Sequence, residues 1–159
     1  MAWSKNGTPV TLGSAADDMD ITDLGGKIFN QILIHKITSG TSQVEMTLNN
    51  DATSVYARRF SLEGGADSTG TSLSNLRMDQ SGALDSFINC FVCSISSEEK
   101  LLIFWNISPN TAGSGNAPER MELVAKWVDT TNTLDRVDCN NSAGGSYDTD
   151  SNISMLGTD

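Results

Sequence analysis

The chain has 159 residues, of which 38% are hydrophobic, and its 20 acidic and 10 basic residues give a formal net charge of −10. This length predicts one domain whose core needs no disulfide or metal, and the negative charge disfavours binding to nucleic acid. No apolar stretch reaches the roughly 18 residues that a membrane-spanning helix needs, so membrane insertion is not expected.

Alternation of apolar and polar residues predicts β-strands along most of the chain, because successive side chains of a strand point to opposite faces. We interpret residues 1–16 as an N-terminal arm, and a first strand lies within residues 17–24. Residues 27–38 fit either a helical stripe or a strand. Their β-branched residues favour a central strand that is covered on both faces.

Two hairpins are expected in the middle of the chain. Segments 43–48 and 55–62 are predicted to form one hairpin with an irregular six-residue tip. The apolar segments 84–95 and 100–107 are predicted to form the other, at the core of the fold. Residues 63–72 show no periodic pattern and are predicted to be an exposed loop.

The remaining alternating segments bring the expected total to about nine or ten strands. These are residues 73–78, 120–128, 134–140 and 152–157, with a loop at 109–118. The chain shows no internal repeat and no linker. The sequence therefore predicts a single all-β domain over residues 17–159, an antiparallel β-sandwich of the jelly-roll type.

Cysteine and histidine usage gives no indication of catalysis. Cys90 and Cys93 match a C-x-x-C pattern, but a strand would place them on opposite faces, so we expect free, structural thiols. His35 is the only histidine, and no nucleophile motif accompanies it. We recognise no secretion signal and expect synthesis in a reducing cytoplasm. The expectation is a protein that is not an enzyme, without catalytic residues or a bound cofactor.

Two acidic pairs are weak candidates for a Ca²⁺ site. Asp18 and Asp20 would share one face of a strand, while Asp148 and Asp150 lie in a segment with the alternating oxygen ligands of a calcium loop. Ile153 stands where such a loop needs glycine, so we reject an EF-hand. The alternative, acidic side chains that keep the surface soluble, is favoured for both pairs, and no metal site is predicted with confidence.

The three tryptophans are assigned different roles. Trp105 and Trp127 fall within apolar alternations, which predicts core anchors, with a sugar-stacking platform as the alternative. Trp3 lies in the polar N-terminal arm, where a large aromatic side chain needs cover. Docking onto a neighbouring subunit would provide that cover, as would packing on its own domain. Trp3 is therefore the candidate partner-binding residue.

Three motifs, in their order along the chain, resemble a group of β-sandwich virion proteins from tailed bacteriophages and environmental viruses. The motifs are Leu48-Asn49-Asn50-Asp51 followed by Tyr56, then Val124-Ala125-Lys126-Trp127, and the closing stretch G-S-Y…S-N-I-S-M-L-G at residues 145–157. The resemblance spans residues from about 17 to 157. It implies a structural protein of the virion, made in the host cytoplasm, such as a capsid decoration or a tail or fibre component.

The resemblance also implies how such a protein acts. Partners would be further copies of the chain in a homo-oligomer, with a trimer as the first expectation, and other virion proteins. Loops at 63–72, 109–118 and 140–151 would meet these partners. One alternative is a carbohydrate- or receptor-binding adhesin domain of a tail fibre, which binds a host surface glycan. A second is a glycan-cleaving enzyme, which needs two facing carboxylates in a cleft.

Overall fold

The structure, a computed structural model, describes residues 2–80 and 82–159. Within these residues the chain is all-β, with thirteen strands and no helix. Ten strands have four residues or more: β3 (Asp18–Ile21), β4 (Phe29–Lys36), β5 (Val44–Leu48), β6 (Tyr56–Leu62), β7 (Ser68–Leu73), β9 (Ser86–Cys93), β10 (Lys100–Ser108), β11 (Glu119–Trp127), β12 (Val137–Asn141) and β13 (Asn152–Thr158). Three have two residues each: β1 (Ser4–Lys5), β2 (Val10–Thr11) and β8 (Leu76–Arg77). The predicted all-β class is confirmed.

The strands form two antiparallel sheets. The large sheet has nine strands in the order β1-β13-β4-β9-β10-β11-β6-β7, with β2 also paired to β13. The small sheet has four strands in the order β3-β12-β5-β8. Buried apolar residues of both sheets belong to one core cluster, so the two sheets are the layers of a sandwich.

The core follows directly from alternation within the strands. Along β9 and β10 every second residue is buried, while the residues between them point away from the core. The small sheet contributes its own alternate residues from β5 and β12. The core residues of these four strands are Ile88, Cys90, Val92, Leu102, Phe104, Val44, Met46, Leu48, Val137 and Cys139.

The ambiguous segment 27–38 is a strand, as predicted. It forms β4, which pairs with β13 on one side and with β9 on the other. The prediction that both its faces are covered is wrong, because Phe29 is 41% exposed and His35 is also exposed. Only one face of the large sheet has a second layer over it.

The two predicted hairpins have different outcomes. The β9–β10 hairpin is confirmed by a continuous antiparallel ladder. The prediction that segments 43–48 and 55–62 form a hairpin is wrong, because β5 belongs to the small sheet and β6 to the large one. Between them the chain crosses from one layer to the other, with positive φ values at Asn49, Asn50 and Ser54.

The predicted loop at 63–72 is partly a strand. Residues 68–73 form β7, which pairs with β6 at the edge of the large sheet, with a shift of register between Tyr56 and Arg58. This strand carries serine, threonine and glycine with a single leucine, so it shows no apolar alternation that a sequence pattern could detect. Residues 109–118 contain no strand, in agreement with the prediction.

The N-terminal arm is predicted for residues 1–16, of which residue 1 lies outside the described residues. The described part of the arm follows the opposite edge of the large sheet. Its strands β1 and β2 both pair with the edge of β13 that β4 leaves free. Asn6, between these strands, is buried and donates from Nδ2 to Oδ1 of Asn30 over 3.0 Å. Its own Oδ1 accepts the N–H of Gly25 at 2.7 Å. Residues 4–11 are thus held against the domain.

A close backbone approach near residue 145 gives a stability prediction. A Cβ atom on Gly145 would lie 2.8 Å from the carbonyl carbon of Gly40 and 2.8 Å from the oxygen of Thr41. We expect Gly145→Ala to lower the free energy of unfolding by roughly 1–3 kcal/mol, because backbone atoms cannot rotate aside. Gly144→Ala is the control, since its Cβ meets nothing within 4 Å. Urea denaturation measures both, and equal losses would contradict the prediction.

Candidate interaction surface

The outer face of the large sheet carries large apolar side chains that no layer of the domain covers. These side chains are between 36% and 58% exposed. We call this set the outer apolar face: Phe29, Phe87, Phe91, Leu101, Ile103, Trp105, Ile107 and Val124. Monomeric proteins rarely expose a contiguous apolar patch of more than a few hundred Å² without using it for binding.

Cross-strand register makes this face contiguous. Ile103 on β10 lies opposite Phe91 on β9 and opposite Val124 on β11. The ring of Trp105 meets the ring of Phe91 edge-on, with 6.4 Å between their centroids. Such cross-strand neighbours stabilise one another. The exposed rings are therefore fixed in place by two central strands of the sheet.

The composition of β9 and β10 explains why this face is apolar. Both strands carry apolar residues at successive positions, so one set fills the core and the other is left on the outside. The one polar residue within the Leu101–Ile107 stretch is Asn106, which points inward and donates from Nδ2 to the carbonyl of Met78 over 3.1 Å. The outward residues of this stretch are thus all apolar.

Two basic side chains beside the outer apolar face are paired with acidic neighbours. Lys126 Nζ lies 2.8 Å from a carboxylate oxygen of Glu99, and Arg120 lies 3.3 Å from Glu122. The β4 side carries uncharged groups, and Gln31 Nε2 donates to Asn89 Oδ1 over 3.0 Å. No charged residue separates the apolar side chains of β9 from those of β10.

A shallow depression of about 480 Å³ lies at one side of this face. Its lining includes Leu101, Ile103 and Val124 of the face, Ala57 and Thr69 on the outer strands β6 and β7, and the basic residues Arg59 and Lys126. The exposed rings of Phe91 and Trp105 lie beside it, because Ile103 is opposite Phe91 and two residues from Trp105. The surface therefore combines exposed rings and a hollow, which shape-complementary docking requires.

The two core tryptophan predictions have opposite outcomes. Trp127 is buried, as predicted, and its ring stacks with that of Tyr56 at 6.5 Å between centroids. Trp105 is 43% exposed, so the prediction that it anchors the core is wrong. It lies opposite Glu122, an exposed residue, whereas Trp127 lies opposite the buried Lys100.

Trp3, the predicted partner contact, is 46% exposed. It directly precedes β1, where Lys5 lies opposite Leu156, and Leu156 lies opposite Gln31 on the outer side of β4. Alternation from Lys5 places Trp3 on the same side of the large sheet as the outer apolar face. Its role in binding a partner remains a prediction.

Both members of the first acidic pair have partners of their own in the structure. Asp20 forms an ion pair with Arg136 at 2.9 Å, and Asp18 accepts a hydrogen bond from Asn140. Burial, with the neighbouring charge of Asp138, raises the pKa of Asp20 against the opposing effect of Arg136.

The second acidic pair is engaged differently. Asp148 accepts the N–H of Thr149 at 2.7 Å, and Asp150 is exposed with a φ of 69°. Across residues 2–80 and 82–159, no three histidine, cysteine or acidic side chains are grouped to hold a metal.

The cysteines and the histidine also have defined places. Cys90 and Cys93 lie on opposite faces of β9, as predicted, with Cys90 buried in the core. Burial raises the pKa of the Cys90 and Cys139 thiols, which disfavours reactive thiolates there. His35 lies at the outer side of β4, opposite Phe87. Within the part of the chain that the structure describes, no helix could span a membrane.

No family model matches the chain, and comparisons with curated proteins and with solved structures find no match. The outer apolar face is the candidate functional feature that the sequence pattern left unassigned. Its signal was present in segments 84–95 and 100–107, whose apolar residues fill both strand faces. Burial on both sides was the natural interpretation of that pattern.

Proposed function

We propose that this chain is a structural component of a virus particle, a capsid decoration or a tail or fibre component, that acts by protein–protein binding. The observation that carries the proposal is the outer apolar face, because a water-exposed surface of this composition is stabilised when another protein covers it. The assignment to a virion rests on the resemblance of the three sequence motifs.

Two of those motifs meet at one place in the structure, which supports treating them as a unit. The Tyr56 hydroxyl accepts the N–H of Leu48 at 2.8 Å, and the Trp127 indole N–H donates to Asp51 over 3.2 Å. The first contact joins β5 of the small sheet to β6 of the large one, and the second joins the loop after β5 to β11. The motifs therefore serve to tie the two layers together, a role suited to a scaffold protein.

The outer apolar face is suited to binding because it lies on strands, not on loops. Interface cores are enriched in aromatic residues, and tryptophan is among the residues enriched at binding hot spots. Here Trp105, Phe91 and Ile103 lie on the central strands β9 and β10, which the core supports from below. Little conformational entropy is lost when such side chains are covered.

Binding to the particle tests this function. Particles made without the chain should bind the purified wild-type protein in co-sedimentation, and Ile103→Lys should bind at least about tenfold more weakly, because it places a charge in an apolar contact. Thr130→Lys adds the same charge at an exposed loop position and should bind as the wild type does. Wild-type protein that does not bind, and is absent from purified particles, would refute the proposal.

A carbohydrate-binding adhesin is the second candidate function. The observation that favours it is the exposed ring of Trp105, since sugars stack on open indole rings. Trp127 cannot serve this purpose because it is buried. Glycan-array binding that Trp105→Ala abolishes, without a change in the circular dichroism spectrum, would support the adhesin.

A further inference from the structure

We propose that a second copy of this chain covers the outer apolar face, in a two-fold pair whose large sheets pack face to face. This inference rests on the proposed use of that face for protein binding and identifies its occupant as a second copy, so the form that binds the particle is the pair. Sheets that pack in this way lie about 10 Å apart, with side chains from the two faces interlocking. The two contacting faces would be the same surface on each copy.

The extent of the face fits a pair of this kind. The eight residues of the outer apolar face lie on the four neighbouring strands β4, β9, β10 and β11, which at about 4.8 Å spacing and with about eight residues each cover roughly 500 Å² of sheet. A standard protein interface buries about 800 Å² on each partner. One further copy is therefore enough to cover the apolar residues.

The charges around the outer apolar face permit a second copy to cover it. The chain carries a net charge of −10, so a basic partner would be attracted to its acidic surfaces. The outer apolar face has no free charge at its centre, and Lys126 and Arg120 at its border are paired within their own copy. Two such faces can meet without bringing unpaired like charges into contact.

Shape favours a two-fold arrangement. The exposed rings of Trp105 and Phe91 and the depression lined by Leu101 and Val124 lie side by side on one face. A two-fold axis between them places the rings of each copy over the depression of the other. A closed trimer needs two different patches on each copy, whereas the strands described here present one continuous patch.

The mass of the purified chain in solution tests the pair. Sedimentation equilibrium should give twice the chain mass of 17.0 kDa at micromolar concentration. Ile103→Lys should weaken the pair at least about 100-fold, because two lysine charges would be buried near each other. Thr130→Lys should remain a pair. Circular dichroism of Ile103→Lys should match the wild type, since residue 103 is outside the core.

Three results of these mass measurements would contradict the proposed pair. A wild-type monomer would refute it, as would a trimer, which would restore the three-fold expectation. A pair that Ile103→Lys leaves intact would place the contact elsewhere. The outcomes separate this inference from the proposed function: a monomer whose particle binding still depends on Ile103 refutes only the pair. A pair with no affinity for the particle refutes only the virion assignment.

Discussion

Replacing Lys36 by methionine is expected to lower the free energy of unfolding by about 3–5 kcal/mol, because it leaves a buried carboxylate without its cation. Lys36 lies on the inner side of β4, and its Nζ is 2.6 Å from Oδ2 of Asp79. Both side chains are only 2% exposed. The second oxygen of Asp79 accepts the N–H of Val44 at 2.7 Å. The pair thus links β4 of the large sheet to β5 of the small one.

The loss should be smaller in acid. Burial raises the pKa of Asp79, and the charge of Lys36 opposes that rise. Without Lys36 the folded state holds a proton on Asp79 up to a higher pH than the unfolded state does. The unfolding free energy of the variant should therefore fall as pH rises above the ordinary pKa of an aspartate. At lower pH, the difference in unfolding free energy between the variant and the wild type should shrink.

Urea denaturation at neutral and acidic pH measures this prediction. Lys126→Met is the control, because Lys126 forms an exposed ion pair with Glu99 and should lose only about 0–1 kcal/mol. The double variant Lys36→Met, Asp79→Leu removes both charges and should recover much of the loss. If the single and double variants were equally unstable, packing and not charge would explain the effect.

Replacing Trp127 by alanine is expected to cost about 3–5 kcal/mol of unfolding free energy, the range for truncating a large buried aromatic residue. Trp127 is among the largest fully buried side chains. Its ring stacks on Tyr56, and Lys100 Nζ lies 5.6 Å from its centroid. Its indole N–H donates to Asp51, whose pKa is lowered by a hydrogen bond from Thr53 and also by this one.

Thermal and urea unfolding of three variants separate packing from hydrogen bonding. Trp127→Phe keeps much of the ring volume but loses the bond to Asp51, so its loss should lie between those of wild type and alanine. Trp3→Ala is the matched control, since Trp3 is 46% exposed, and it should change stability by only about 0.5 kcal/mol. Equal losses for Trp3→Ala and Trp127→Ala would contradict the assignment of Trp127 to the core.

The strands could be predicted from sequence because alternation is local, but their partners could not. Segments 43–48 and 55–62 both alternate, yet β5 and β6 lie in different layers. Residues 49–54, which connect the two strands, have no sequence pattern that distinguishes a crossing between layers from a hairpin turn. β7 was missed because an edge strand with polar side chains shows no contrast between its faces. Pairing with β6, a tertiary interaction, decides its structure.

The outer apolar face, the candidate binding surface, was only partly predictable for a similar reason. An apolar residue such as Ile103 carries the same sequence signal whether its own domain or another molecule covers it. Trp105 and Trp127 look alike in sequence, and only the cross-strand register separates them. The Lys36–Asp79 pair joins residues far apart in the chain, so pattern analysis did not find it, although Lys36 follows Ile32 and Ile34 on the same strand face.

The two edges of the large sheet affect whether further molecules can add to it by strand pairing. A sheet with an open, apolar margin can recruit strands without limit and seed amyloid-like fibrils. Here β1 and β2 occupy one margin, and the irregular, polar β7 forms the other. The short strands at one edge and the irregular polar strand at the other both disfavour pairing with a strand of another molecule. In the pair proposed above, association uses the broad outer apolar face and ends once that face is covered, so the pair is a small closed assembly and not a polymer.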